Sequence, residues 1–274
     1  EIAFFGGSFT AIPKKLMLTY LETANQFRDS GIFSGIRIST RPDAVSDETL
    51  ALLKTYGVTS IELGAQSTDD YVLMKNGRGH TALEIKQASE RVKKHGFSLG
   101  LQMMTGLYKS TVEKDIKTCT DIIALKPDTV RIYPTIVIKG THLETLYNKG
   151  EYTPQTLEEA VDLCSLMLPL FHENNIKVIR LGLHSAGTIE KGYIKGPYHP
   201  SFGELCSSRI YLKKALNKLK NLPKGEYTIT VNQKELSKMI GQKRINIEKL
   251  KKHGYYCTVK GENVAQYKLE IEKK

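Results

Sequence analysis

The chain has 274 residues, a formal net charge of +11 and four cysteines. This length accommodates one large α/β domain with a small second domain. The apolar runs are too short to cross a membrane and no signal peptide is recognisable, so we expect a cytoplasmic protein rather than a membrane or secreted one.

The first predicted element is a strand at residues 2–5 that leads into a glycine pair, in the stretch IAFFGGSFTAIP. A continuous apolar run is typical of a parallel strand covered on both faces. Gly6 and Gly7 allow a positive φ and a close approach of ligand to backbone, and Ser8 and Thr10 add hydroxyls. The alternative is a tight turn without a ligand.

Apolar runs then alternate with amphipathic segments along the first two thirds of the chain. Strands are predicted at residues 35–39, 60–64, 98–105, 129–134 and 177–182, and helices at 15–28, 47–56, 82–95, 111–125 and 156–174. Such repetition indicates a parallel sheet with right-handed crossovers. A complete or partial barrel fits best, and a doubly wound open sheet is the alternative.

Polar side chains cluster where these strands end. Hydroxyl, amide and guanidinium groups suit hydrogen bonds to a small polar ligand, and no Ser/His/Asp set is recognisable by spacing. The residues expected at one common mouth are Ser39, Arg41, Gln66, Gln102, Tyr133 and Arg180.

The last part of the chain differs in charge. Residues 213–274 contain 16 Lys and Arg against 6 Asp and Glu, so a polyanionic partner, nucleic acid first, is expected there. A merely solvated lysine-rich surface is the alternative. The predicted order is strand 227–231, helices 233–240 and 245–252, and strands 255–259 and 266–272. We therefore predict domains at residues 1–212 and 213–274, with a Gly- and Pro-rich loop at 192–211.

Five motifs occur in the order and spacing of one family: GGSFT (6–10), ISTRPD (38–43), ELGAQS (62–67), NGRGHT (76–81) and LQMMTGL (101–107). On these motifs the chain resembles the radical SAM superfamily, above all the bacterial relatives of the elongator catalytic subunit and, more distantly, oxygen-independent coproporphyrinogen oxidase. The resemblance implies an incomplete (βα)6 barrel that holds a [4Fe-4S] cluster and S-adenosylmethionine, an electron donor for the cluster, and modification of RNA or tRNA by 5′-deoxyadenosyl radical chemistry.

The resemblance also implies roles for individual residues. Backbone and hydroxyl groups of the GGS turn would lie near the methionine amino group, two glutamines near the ribose, and one arginine at the carboxylate. The implied cofactor-binding residues are Gly6, Gly7, Ser8, Ser39, Arg41, Gln66, Arg78 and Gln102. Gly106 and Leu107 match the start of a turn near the adenine.

The CxxxCxxC loop of that family is absent from the chain, which begins at Glu1. The four cysteines lie 45, 42 and 51 residues apart, which fits buried thiols and predicts no metal site. We therefore expect a truncated radical SAM enzyme, inactive as it stands, whose first strand and cluster ligands lie outside this chain. The alternatives are a non-catalytic RNA-binding or scaffold protein, and a barrel enzyme that binds a phosphorylated metabolite at residues 182–187.

The tail resembles a KH-type RNA-binding domain through MIGQKRINIEKL (239–250). In that family a GXXG turn between two helices clamps the nucleic-acid backbone. The resemblance implies nucleic-acid binding by Gly241, Gln242, Lys243 and Arg244, with an arginine at the second glycine position.

Overall fold

A computed structural model describes residues 1–184 and 191–274. These residues form two compact units. The first comprises Glu1–Gln155, Phe171–Leu181 and residues 191–197, and the second comprises Thr156–Leu170, Gly182–His184 and Tyr198–Lys274. Among the helices of these described segments, none is both long and apolar enough to span a membrane.

The first unit is built on a six-stranded parallel sheet. Its strands are β1 (Ile2–Phe4), β2 (Ile36–Thr40), β3 (Val58–Gln66), β4 (Ser98–Thr105), β5 (Thr129–Pro134) and β7 (Lys177–Leu181), and β6 (Val137–Ile138) pairs separately with β8 (Tyr193–Lys195). The order in space follows the order in the chain, and all five pairings are parallel. In a doubly wound sheet the order of the strands reverses at one point in the sheet. No such reversal occurs among these six strands, so the prediction of a partial barrel is confirmed.

The helices that the structure describes up to Glu173 are α1 (Lys14–Asp29), α2 (Asp47–Thr55), α3 (Asp70–Lys75), α4 (Ala82–Lys94), α5 (Val112–Ala124), α6 (His142–Asn148) and α7 (Leu157–Glu173), and most of α7 belongs to the second unit. Local sequence explains where several of them begin. The Ser46 side chain accepts a hydrogen bond from Thr49 N, and Thr81 forms a capping box with Glu84. The short helices α3 and α6 were not predicted.

The core of the first unit lies along the central strands. Ile36 and Ile38 of β2 and Ile61 and Leu63 of β3 are fully buried. Their β-branched and branched side chains pack well on a pleated surface covered by helices. The sheet is therefore a rigid support for whatever its strand ends carry.

The second unit contains the long helix α8 (Phe202–Leu219) and a small sheet. After α8 come β9 (Gly225–Asn232), α9 (Leu236–Ile240), α10 (Ile245–Lys252), β10 (Tyr255–Glu262) and β11 (Leu269–Lys273). The central β9 pairs in parallel with β10 and antiparallel with β11. The order of these elements matches the predicted one.

Helix α8 corrects one prediction, because the loop expected at residues 192–211 becomes helical at Phe202. The predicted boundary between residues 212 and 213 falls inside this helix. The helix also binds the small sheet: Tyr267 N donates to the Tyr211 hydroxyl at 3.0 Å, and Lys214 Nζ donates to Tyr267 O at 2.8 Å. Helix α8 and the small sheet thus belong to one unit.

Candidate functional site

A cavity of about 550 Å³ opens at the carboxyl ends of the first five strands of the large sheet. All eight residues implied for cofactor binding line it: Gly6, Gly7, Ser8, Ser39, Arg41, Gln66, Arg78 and Gln102. Tyr133, expected at the same mouth, also lines the cavity, whereas Arg180 is not among its lining residues. The lining residues that the sequence did not indicate are Phe5, Glu62, Gly77, Gly79, His80, Met104 and Arg131.

The glycine pair forms one wall of this cavity. Gly6 and Gly7 have φ values of 124° and 74°, which residues with a side chain rarely adopt. The turn is tied to the end of β2, because Thr10 N donates to Thr40 Oγ1 at 3.2 Å and the two hydroxyls share a hydrogen bond of 2.6 Å. The exposed backbone of the pair is therefore held in place.

Two glutamines on neighbouring strands face each other in the cavity. Gln102 Nε2 donates to Gln66 Oε1 at 3.1 Å. Gln66 is buried at a β-bulge with φ 66°, and a Cβ atom on Gly64 would lie only 2.8 Å from Gln66 Nε2. An amide has separate donor and acceptor groups, so each side chain retains hydrogen-bonding capacity beyond this bond.

The two predicted arginines differ in how their charge is compensated. Arg41 Nε donates to Asp43 Oδ1 at 2.9 Å and Arg41 Nη2 contacts Oδ2, and this hydrogen-bonded partner lowers the pKa of Asp43. Within residues 1–184 and 191–274, no carboxylate pairs with Arg78 in this way. Burial, and then the charge of Arg41, lower the pKa of Arg78, and within the described part of the chain its buried Nε has no hydrogen-bond partner. The Arg78 guanidinium is thus the group best prepared to receive an anion.

A carboxylate that sequence reasoning missed lies in the same cavity. Glu62 accepts from Arg131 Nε at 2.8 Å, Arg131 Nη2 at 3.0 Å, Arg37 Nη1 at 3.1 Å and Ser39 Oγ at 3.2 Å. Burial alone would lower the pKa of Arg131, but its bonds to Glu62 raise it. Ser39, implied as a direct cofactor ligand, therefore donates its hydroxyl hydrogen to Glu62.

His80, the histidine that lines the cavity, is structural in its contacts. Its Nε2 lies 3.2 Å from Ala65 O, and burial lowers the pKa of His80, so the ring is neutral at pH 7. A neutral imidazole bonded to backbone supports the wall and adds no charge.

The turn after β4 is fixed by a buried carboxylate. Asp115 Oδ2 accepts from Gly106 N at 2.8 Å and Oδ1 accepts from Ser110 Oγ at 2.5 Å, while the Tyr152 hydroxyl donates to Gly106 O at 2.7 Å. Burial raises the pKa of Asp115 to about 6. This turn carries Leu107, which lines a second cavity.

The second cavity has a volume of about 380 Å³ and is mostly apolar. It shares four residues with the first: Gln66, Gly77, Arg78 and Met104. Leu107, Ile136 and Leu143 are among its other lining residues. A polar cavity thus adjoins an apolar one.

The four residues implied for nucleic-acid binding form one turn between α9 and α10. Lys243 and Arg244 are exposed and have φ values of 50° and 61°. Gly241 has φ 77°, and a Cβ atom on it would lie 2.9 Å from Ile245 Cγ2 and 3.0 Å from Ser208 Oγ. The glycine is therefore explained by packing against α8 as well as by its φ.

The cysteines do not form a metal site in the described structure. Cys119, Cys164, Cys206 and Cys257 are buried and lie in α5, α7, α8 and β10. Residues 1–184 and 191–274 contain no group of three or more His, Cys, Asp or Glu side chains that could hold a metal ion.

Comparison with known families decides what this arrangement belongs to. Residues 1–122 match the family model of the radical SAM superfamily, and residues 127–213 match the radical SAM C-terminal domain. The chain belongs to the radical SAM superfamily. Its partial barrel is thus that of a radical SAM domain, followed by an additional C-terminal sheet domain.

Several relatives are similar to this radical SAM chain. Human Elongator complex protein 3 is 30% identical over 190 residues, which cover 62% of this chain and 35% of the relative. The tRNA uridine(34) acetyltransferase of Methanocaldococcus jannaschii is 35% identical over 131 residues, covering 47% of this chain and 24% of the relative. The chain thus matches only about a third or less of the length of these curated relatives.

Two solved structures agree on the fold. The archaeal elongator protein of Methanocaldococcus infernus, with an N-terminal deletion, aligns with a TM-score of 0.68 and 25% identity over 81% of this chain and 54% of its own. Escherichia coli coproporphyrinogen III oxidase, a radical SAM enzyme, aligns with a TM-score of 0.50 and 18% identity over 63% of this chain and 40% of its own, which shows the fold alone.

Proposed function

We propose that this chain is the cofactor-binding part of a tRNA-modifying radical SAM enzyme and that S-adenosylmethionine binds in the cavity of about 550 Å³. The observation that carries the proposal is the half-buried Arg78 side chain, whose buried Nε has no partner among the described residues, beside the Gln66–Gln102 pair. Membership of the superfamily and the tRNA-modifying relatives support it.

The residues present fit this cofactor group by group. The Arg78 fork suits the carboxylate, the amides of Gln66 and Gln102 suit ribose hydroxyls, and the open backbone of Gly6 and Gly7 suits the amino group. The apolar second cavity suits the adenine ring. In this superfamily the cofactor, together with a reduced [4Fe-4S] cluster and an electron donor, supplies hydrogen-atom abstraction.

The residues present do not fit the cluster itself, since no group of three metal-ligating side chains occurs among the described residues. Its ligands would come from outside this chain. This chain's own contribution is to bind and orient the cofactor: Asp43 neutralises Arg41, His80 stays uncharged, and Arg78 keeps its charge for the carboxylate.

Binding measurements on Arg78→Ala test this proposal. Loss of a hydrogen bond to a charged group should weaken S-adenosylmethionine binding by roughly 1.5–3 kcal/mol, as measured by calorimetry or equilibrium dialysis. Arg91→Ala is the matched control, because Arg91 lies on α4 outside the cavity lining and donates to Val45 O. Equal affinity of the Arg78 variant and the unchanged chain would remove Arg78 from the site.

The second part of the proposal is that the basic tail holds RNA. It is supported by the excess of Lys and Arg after residue 212 and by the exposed Lys243 and Arg244 in the turn between α9 and α10. A non-catalytic RNA-binding or scaffold protein is not favoured by the match to an enzyme superfamily. For the phosphorylated-metabolite alternative, residues 185–187 of its loop lie outside the described residues.

A further inference from the structure

Among the described residues that line the first cavity, Glu62 is the only one with an acidic side chain. It is only 5% exposed. Four hydrogen bonds from Arg37, Ser39 and Arg131 hold its carboxylate. A buried carboxylate is costly unless such donors compensate it, so its presence in a ligand cavity requires an explanation.

The sheet is built to accommodate this carboxylate. Glu62 lies on β3, Arg131 lies on β5, and the intervening β4 carries Gly100 directly opposite Glu62. A Cβ atom on Gly100 would lie 2.7 Å from Glu62 Cγ. The absence of a side chain on β4 is therefore what lets the pair meet across that strand.

The charges around the cavity explain what the carboxylate does. Arg41 is paired with Asp43, whereas Arg78 and Arg131 contribute positive charge to the lining. S-adenosylmethionine has a positive sulfonium, and S-adenosylhomocysteine has a neutral thioether in the same place. Without Glu62, the remaining guanidinium groups would repel the sulfonium and leave the thioether unaffected.

We propose that Glu62, held across the sheet by Arg131, is a specificity-determining residue that lets this cavity accept a sulfonium in preference to a neutral thioether. The inference rests on the proposed function, because it assumes that the cofactor binds here. One unit charge acting over roughly 10 Å at an effective dielectric constant of about 20 changes affinity on the order of tenfold.

The test compares two variants with opposite effects on cavity charge. The dissociation constants of S-adenosylmethionine and S-adenosylhomocysteine are measured for the whole chain by equilibrium dialysis. Glu62→Gln should lower the preference for the sulfonium on the order of tenfold, and Arg131→Gln should raise it by a similar factor. Glu158→Gln, which removes an Arg-paired carboxylate outside this cavity, should leave the preference unchanged.

Opposite shifts support the proposal, because a purely structural defect would weaken both ligands together. If Glu62→Gln does not fold, Arg131→Gln alone tests the proposal, because the preference of this variant for S-adenosylmethionine over S-adenosylhomocysteine must rise. A preference that does not change, or that falls in both variants, overturns the inference and leaves the proposed function standing. Failure of the unchanged chain to bind S-adenosylmethionine at millimolar concentration refutes the proposed function and this inference together.

Discussion

The stability of the turn beside the two cavities should depend on pH through Asp115. This side chain is 2% exposed, and burial raises its pKa from 3.8 to about 6. The folded state then holds the proton more tightly than the unfolded state. The extra stability that proton binding by Asp115 gives the folded state is fully present below about pH 4 and is lost as the pH rises to about 6. Above that pH, Asp115 no longer makes the stability depend on pH. At about 1.36 kcal/mol per unit of pKa difference, the loss is up to about 3 kcal/mol.

Asp115→Asn should abolish this dependence. The amide oxygen can still accept from Gly106 N, and the Ser110 hydroxyl can rotate to accept from the amide nitrogen. Urea unfolding at intervals from pH 4 to pH 7.5 measures the free energy of unfolding. The variant should gain about 2–3 kcal/mol relative to the unchanged chain across that range. Glu22→Gln, which removes an exposed carboxylate on α1, controls for the loss of one charge. If the free energy of unfolding changes with pH in the same way for the Asp115 variant and the unchanged chain, the reasoning is refuted.

Two further predictions concern the tail. Gly241→Ala should destabilise the second unit by about 1–3 kcal/mol, because φ is 77° and the new Cβ would meet Ile245 at 2.9 Å; an unchanged melting temperature would contradict this. Replacing Lys243 and Arg244 together with Ala should flatten the dependence of log affinity on log salt for single-stranded RNA by roughly 1.4, at about 0.7 per phosphate. A slope equal to that of the unchanged chain, measured by fluorescence anisotropy, would exclude the turn from RNA binding.

Much of the fold could be predicted from the sequence because its signals are local. Each strand of the large sheet is a short apolar run followed by polar residues, and the carboxyl ends of parallel strands meet at one edge. That geometry is sufficient to bring Gly6, Ser39, Gln66 and Gln102 to one cavity. The family motifs supplied the hypothesis that the cavity holds a cofactor.

The Glu62–Arg131 pair could not be predicted because it depends on register. The two residues are far apart in the chain, and they meet only because Glu62 lies opposite Gly100 and Gln102 lies opposite Arg131. No local sequence pattern predicts this register between the strands. The helix at Phe202 was missed for the opposite reason, since the nearby Gly and Pro residues favour a loop locally.

The distribution of partners in the cavity determines where binding energy is concentrated. Arg41 is bonded to Asp43, Ser39 to Glu62 and Gln66 to Gln102, so these groups are already oriented and lose little freedom when a ligand arrives. Arg78 differs, because its buried Nε lacks a hydrogen-bond partner among the described residues. When an anionic ligand binds, this donor gains a hydrogen bond to a charged group. Affinity should therefore depend most on Arg78, while Ser39 acts through Glu62, whose charge decides which ligand the same geometry admits.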